Sequence, residues 1–269
     1  MNAHPRLTTT HRPQARRRQL LLAALAGMGL LALPTGALAQ ASFLEPWLAG
    51  KKAAQGYIKL SLPLVAEDGS AVPLSIEIPA WDSDSHVESL AIFAPRNPTP
   101  EVASFSFGPE IGNIKLATRI RLSESQTVIV VARSSDGQVF MQEREVRVTT
   151  SGCIAPAQAD ASSEMQARVR IPKKWQAGQA GEITTMISHP MSTGLAQDAQ
   201  GHTPAKRIIE RFEVVLDQRP VIEAQYFRSL SLNPYLKFEI TPRSGGTLAL
   251  RWTEDTGRHA EHTETLILG

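Results

Sequence analysis

From Tyr57 onward, apolar residues return at every second position in short runs closed by turn residues. Ile58-Lys59-Leu60-Ser61-Leu62 sets the pattern. A period of two places the apolar side chains on one face of an extended chain, so each run reads as a half-buried strand. Further runs follow at Val72–Ile78, Val87–Phe93, Val102–Phe107, Ile114–Leu122, Val128–Arg133 and Val139–Val148. Their punctuation is Glu67-Asp68-Gly69-Ser70, Pro95-Arg96-Asn97-Pro98, Ser123-Glu124-Ser125 and the hairpin signal Ser135-Asp136-Gly137-Gln138. The second half repeats the style at Met165–Ile171, Glu182–Ser188, Ile208–Leu216, Val221–Phe227, Leu236–Thr241, Thr247–Trp252 and Ala260–Leu268. Each half holds enough short strands for a Greek-key sandwich. The expected fold is all-β, with two immunoglobulin-like β-sandwich domains in tandem joined by a flexible linker.

That linker, residues 151–164, is rich in Ala, Ser and Gln, lacks periodicity, and separates the sandwich at 57–150 from the one at 165–269. It carries the chain's single cysteine, Cys153, behind Ser151 and Gly152. No second cysteine exists to pair with it inside the chain, so it reads as a thiol presented on an arm that Ser151 and Gly152 keep flexible. Residues 1–39 read as an export signal. Arg16-Arg17-Arg18 precede an apolar run from Leu20 to Leu33, and Ala37-Leu38-Ala39 resembles a cleavage site. Arg17-Arg18-Gln19-Leu20-Leu21 also fits a twin-arginine signal. The apolar run is shorter than the ~20 residues a spanning helix needs, so no stable membrane insertion is expected. Residues 40–56 are a leader or a short helix, capped by Ser42 and stopped by Gly56. The signal holds five of the 28 basic residues and none of the 26 acidic ones, leaving 23 against 26, a net charge of about −3. No basic stripe remains for nucleic acid.

Motifs for enzymatic chemistry are sparse. The chain has no Gly-rich phosphate loop, no Gly-x-Ser-x-Gly and no Cys-x-x-Cys. A cysteine nucleophile needs a base, and none of His86, His189, His202, His259 and His262 can be assigned to Cys153 from sequence. His189-Pro190-Met191 offers a soft pair of a kind that suits copper, but it reads more simply as a loop after a strand. His259-Ala260-Glu261-His262 sits in a strand-like segment, where i and i+3 face opposite ways. No cofactor and no metal are therefore expected. Trp47, Trp81, Trp175 and Trp252 read as core or domain-interface residues, with Trp175 a candidate for the place where the halves meet. Arg144, Arg147, Arg168, Arg170, Lys173 and Lys174 flank the linker and would favour a thiolate if gathered at its base.

Several stretches resemble the bacterial Sox sulfur-oxidation carrier. Ile92–Ala103, Thr118–Leu122 and Gly152-Cys153 resemble its Y subunit; Ile187–Gly194, Asn233–Leu236 and Gly246–Leu248 resemble its Z subunit. The chain thus resembles a fused SoxYZ carrier in one polypeptide. The resemblance implies a periplasmic address and two packed immunoglobulin-like sandwiches. It also implies a non-catalytic role: Cys153 holds a sulfur substrate covalently while separate sulfur-oxidising enzymes act on it. The Y subunit's glycine-flanked cysteine tail is altered here, with Ser151 before Gly152 and Ile154-Ala155 after the thiol. Fused forms also resemble proteins associated with quinoprotein dehydrogenases. The alternative is thus a periplasmic accessory or metal-binding module serving such a dehydrogenase through His189, Met191 or the thiol. A thiol hydrolase and a disulfide-linked dimer are further alternatives.

Overall fold

The structure is a computed structural model that describes residues 43–80, 85–151, 164–197 and 201–269. It is nearly all β, as the alternation requires. The first half supplies β1 (Lys59–Ser61), β2 (Val65–Asp68), β3 (Val72–Ile78), β4 (Val87–Phe93), β5 (Glu101–Phe107), β6 (Ile114–Ile120), β7 (Gln126–Ser134) and β8 (Val139–Thr150). The second supplies β9 (Ala167–Arg170), β10 (Gly181–Ile187), β11 (Ile209–Leu216), β12 (Arg219–Tyr226), β13 (Tyr235–Ile240), β14 (Gly246–Glu254) and β15 (His259–Leu266).

The two halves do not keep separate sheets. One six-stranded sheet runs β1-β3-β6-β13-β10-β9 and one nine-stranded sheet runs β15-β14-β11-β12-β5-β4-β7-β8-β2. The halves are joined edge to edge in both layers. Antiparallel β5 and β12 pair from Phe107↔Ile222 to Ala103↔Tyr226, and β6 and β13 pair from Leu116↔Phe238 to Thr118↔Leu236. Strand pairing at a domain edge removes the row of unsatisfied N–H and C=O groups that an open edge would present. Gly108 lies against Pro220 at this junction, where an added Cβ would sit 2.0 Å from the Pro220 carbonyl oxygen.

One apolar core runs between the sheets through both halves. Aromatic contacts cross the junction in sequence: Phe105 meets Tyr226 edge-on at 6.3 Å, Tyr226 stacks with Phe212 at 6.4 Å, and Phe212 packs on Trp252 at 5.0 Å. Phe238 reaches Phe212 from the opposite sheet at 6.3 Å. Trp175 is buried too, but against Gly181 and beside Leu268 at the edge of the second half, not where the halves meet.

A short helix, α1 (43–48), covers the outer face of the nine-stranded sheet. Leu44 is buried there with Phe93, Ile129, Val131 and Val139, while Phe43 and Trp47 contact the Phe93 ring. Coverage on both faces explains why Val128–Ala132 is a continuous apolar run and not an alternating one. The helix stops before Gly56, because Ala49 and Gly50 turn left-handed (φ 49° and 72°) and Gly50 N–H bonds the Glu45 carboxylate at 3.1 Å.

The antiparallel ladders carry direction across the molecule. β8, β6, β12 and β14 finish at one end of the sandwich, and β9 and β13 begin there. The stretch bearing Cys153 therefore leaves from, and returns to, the same end.

Candidate functional site

The root of the cysteine stretch is fixed more tightly than the sequence suggests. β8 runs to Thr150, two residues past the expected end at Val148. Its last turn of pleat is held by β2, which lies parallel to it with Val65↔Arg147, Ala66↔Val148 and Asp68↔Thr150 in register. Gly69 N–H donates to the Thr150 carbonyl at 2.8 Å, Thr149 Oγ1 donates to the Glu67 carbonyl at 2.8 Å, and Val148 N–H donates to Ser125 Oγ at 2.9 Å. Asp68, whose carboxyl is held below its ordinary range by the Ser70 hydroxyl and N–H, closes the adjacent turn. Ser151 is half-buried, with its Oγ enclosed and without a hydrogen-bond partner among the described residues. Gly152 and Cys153 lie outside the described residues, as do residues 1–42 and Trp81. Three residues of chain place Cys153 within about 10 Å of Thr150. Measured from Val148, where the alternation ends, the same reasoning would allow ~17 Å. The extra pairing with β2 shortens the tether.

The basic residues expected around the linker do not converge. Arg144 and Arg147 lie on β8, among Glu143 and Glu145, near one edge of the nine-stranded sheet. Arg168 and Arg170 lie on β9, at the far edge of the other sheet, and Lys173 and Lys174 follow it toward the opposite end. Flanking a linker in sequence does not gather side chains when that linker joins strands at opposite edges.

The sequence's most chemically suggestive loop, His189-Pro190-Met191, is built into the core. His189 and Met191 are buried, and Met191 holds φ 47°. His189 Nδ1 accepts the Met191 N–H at 3.0 Å, so Nε2 carries the proton and donates to Glu254 Oε1 at 2.8 Å. Burial lowers the His189 pKa, outweighing the pull of Glu254, and keeps the ring neutral. Burial pushes Glu254 up, but hydrogen bonds from Thr256 and His189 and the charge of Arg207, whose Nε is 3.0 Å away, bring its carboxyl below the ordinary value. Met191 Sδ accepts the Ile209 N–H at 3.2 Å. Both ring nitrogens and the thioether are thus engaged in holding the fold. Among the described residues, no group of three or more His, Cys, Asp or Glu is placed to hold a metal. The metal-binding alternative finds no free ligands at His189 and Met191.

His86, His259 and His262 stand apart from the β8 root. His259 and His262 lie on β15, at the edge opposite β2 in the same sheet; His262 Nε2 is 3.8 Å from Glu264. His86 is exposed and its backbone bonds Ser135, beside the other end of β8.

Sequence reasoning missed the residues that lock the halves together beside this root. Asn97 Nδ2 donates to the Arg121 carbonyl at 2.8 Å and to Ser229 Oγ at 2.9 Å, while its Oδ1 accepts from Gln126 Nε2 and Ser123 N–H, both at 2.9 Å. Arg121 N–H bonds the Ser229 carbonyl at 2.7 Å, and its guanidinium reaches the Pro190 carbonyl at 3.5 Å. Asn233, at φ 48°, exchanges two 2.9 Å bonds with His189. The available signal was positional: Asn97, Arg121, Pro190 and Asn233 all fall in or next to the stretches quoted for the resemblance.

The comparisons with known proteins match the two halves to two different families. The family model for sulfur oxidation protein SoxY matches residues 46–153, so its match closes on Cys153, and that for sulphur oxidation protein SoxZ matches residues 169–265. The chain is a SoxY domain and a SoxZ domain fused in tandem. Among solved structures, the sulfur carrier protein SoxY from Chlorobium limicola f thiosulfatophilum is 25% identical, the match covering 42% of this fusion and 98% of that chain at a TM-score of 0.36. A superoxide reductase (neelaredoxin, E23A) from Ignicoccus hospitalis is 9% identical over 38% of the fusion and 83% of that chain, at a TM-score of 0.30. Neither superposition is close enough to carry an argument. No curated protein matches the fusion. The two domain matches give the fusion a carrier role in sulfur oxidation at the level of the family. No helix among the described residues is long and apolar enough to cross a membrane.

Proposed function

We propose that the fusion is a periplasmic carrier that holds a sulfur substrate covalently on Cys153 and presents it to separate sulfur-oxidising enzymes. The observation that carries this reading is the SoxY match closing on the chain's single cysteine, three residues beyond a strand end pinned by β2. A thiol so placed is offered at the rim of a rigid sheet, and Ser151 and Gly152 supply the local freedom to turn it toward a partner. The export signal at residues 1–39 supplies the address.

The chemistry asks nothing of the fusion but a thiolate. With thiosulfate as cargo, a partner removes two electrons while a bond forms between Cys153 Sγ and the outer sulfur, giving Cys–S–S–SO3⁻. A second partner then adds water across the S–SO3 bond: the hydroxyl oxygen goes to the sulfonate sulfur, which leaves as sulfate (SO4²⁻) with one H⁺, and the second water proton stays on the sulfur of the Cys–S–SH persulfide. The carrier itself neither supplies nor stores the electrons.

The test is the intact mass of mature protein taken from its own periplasm, before and after reduction. A reducible, sulfur-containing adduct mapped to Cys153 supports the reading and identifies the cargo. A bare thiol that stays bare on incubation with the periplasmic enzymes and thiosulfate overturns it.

A further inference from the structure

Between β1 and β2 the alternation slips. Ile58, Leu60 and Leu62 turn inward and are buried, while Lys59 and Ser61 turn out. Pro63 then breaks the phase, and Leu64 and Val65 are left 69% and 49% exposed. Other large exposed apolar residues among those described are single: Tyr57 packs its ring on Phe140, and Leu195 and Ile267 stand alone in sequence. Leu64 and Val65 are adjacent, and they sit on the outermost strand of the nine-stranded sheet. Among the described residues no strand pairs beyond them. This is also the one place among the described residues where two large apolar side chains stand exposed side by side in sequence.

We propose that Leu64 and Val65 form the docking surface for the enzyme that acts on sulfur held by Cys153. The inference rests on the carrier reading. What ties the patch to that one occupant is the length of chain beyond the strand and where it starts. The Leu64 carbonyl accepts the Arg147 N–H, so the patch lies beside Arg147, about 10 Å down the strand from Thr150. Cys153 lies no more than about 10 Å beyond Thr150. An enzyme whose active site receives that sulfur must bring its mouth to within this distance of Thr150. A specific interface of ordinary size covers about 800 Å² on each partner, a patch roughly 16 Å in radius. A patch of that radius centred near Thr150 takes in Leu64 and Val65. Exposed Ser61, Glu67 and Arg147 surround the pair, giving the apolar centre and polar margin usual for such surfaces.

The test uses the full mature chain, thiosulfate and a periplasmic extract of the source organism. The rate at which Cys153 gains mass is followed at increasing carrier concentration. For Leu64→Asp, the carrier concentration giving half the maximal rate should rise at least tenfold with the plateau rate unchanged, whereas Leu64→Met should load like the parent. Alkylation of Cys153 by iodoacetamide should proceed at the parental rate in both, showing an intact root. Leu64→Asp loading with the parental concentration dependence overturns the docking proposal. So does its conversion of a parental dimer to a monomer in sedimentation, which makes the patch a contact between copies. If Cys153→Ser still gains the mass, or the parent gains none, the carrier reading itself fails; loss of loading in Cys153→Ser with normal loading in Leu64→Asp removes only the docking surface.

Discussion

The His189 loop and the β8 root lie at the same end of the sandwich and use their residues in opposite ways. The loop holds imidazole, thioether and carboxylate within bonding distance, and every one of those groups is engaged in structure. The root holds backbone amides, hydroxyls and a short parallel strand, residues of no evident chemistry, and on the proposed reading it is what presents the thiol. Reactive-looking side chains that are buried and mutually satisfied serve stability. On the proposed carrier reading, function falls instead to Cys153, three residues of chain beyond Thr150.

Substitutions should therefore separate the two. Glu254→Ala leaves a neutral buried His189 without its acceptor and Arg207 without its carboxylate, and should cost about 3–5 kcal/mol of unfolding free energy in a denaturant titration. The same site makes the fold acid-sensitive. His189 and Glu254 both have folded pKa values below their unfolded ones, so the unfolded chain binds more protons in each window. Stability should be full above pH 6.5, fall as His189's window is entered, and fall again below pH 4.5 as Glu254's is entered. A melting temperature that stayed flat from pH 7 to 4 would contradict this. Gly108→Ala forces a methyl group onto the Pro220 carbonyl at the junction, with an expected loss of about 1–3 kcal/mol. Ser125→Ala removes the acceptor for the Val148 N–H and should cost about 1 kcal/mol, while letting Cys153 react faster with a bulky thiol reagent. Cys153→Ser should change stability by less than about 0.5 kcal/mol and abolish loading completely. If Cys153→Ser destabilised the fold as Glu254→Ala does, the contrast between loop and root would collapse.

Strand positions were legible because alternation is a local property. Val72–Ile78 and Val87–Phe93 coincide with β3 and β4, and most other runs agree within two residues. The β2 strand was not legible. Val65-Ala66-Glu67-Asp68 does not alternate, its last two residues read as a turn, and only its parallel pairing with β8 makes it a strand. The merging of the halves was also invisible. The same inward-outward pattern serves a strand that ends a domain and one, like β5 or β13, that pairs with the neighbouring domain. The sandwich-in-tandem expectation therefore gave the layers correctly without showing that each layer is shared. At the site, Cys153 stood out by being solitary and by its resemblance. The His189–Glu254 bond joins residues 65 apart in sequence, and nothing in the spacing announces it.

The shared sheets also change what the covalent link is for. Eight residue pairs across β5–β12 and β6–β13 already hold the halves in register, so the peptide that joins them is not needed to align them. Its effect is on encounter. Two separate chains would part on dilution according to their dissociation constant, whereas tethered halves face each other at an effective concentration of roughly millimolar. A half that comes loose rejoins its own partner, so the assembled fraction stays the same however scarce the protein becomes.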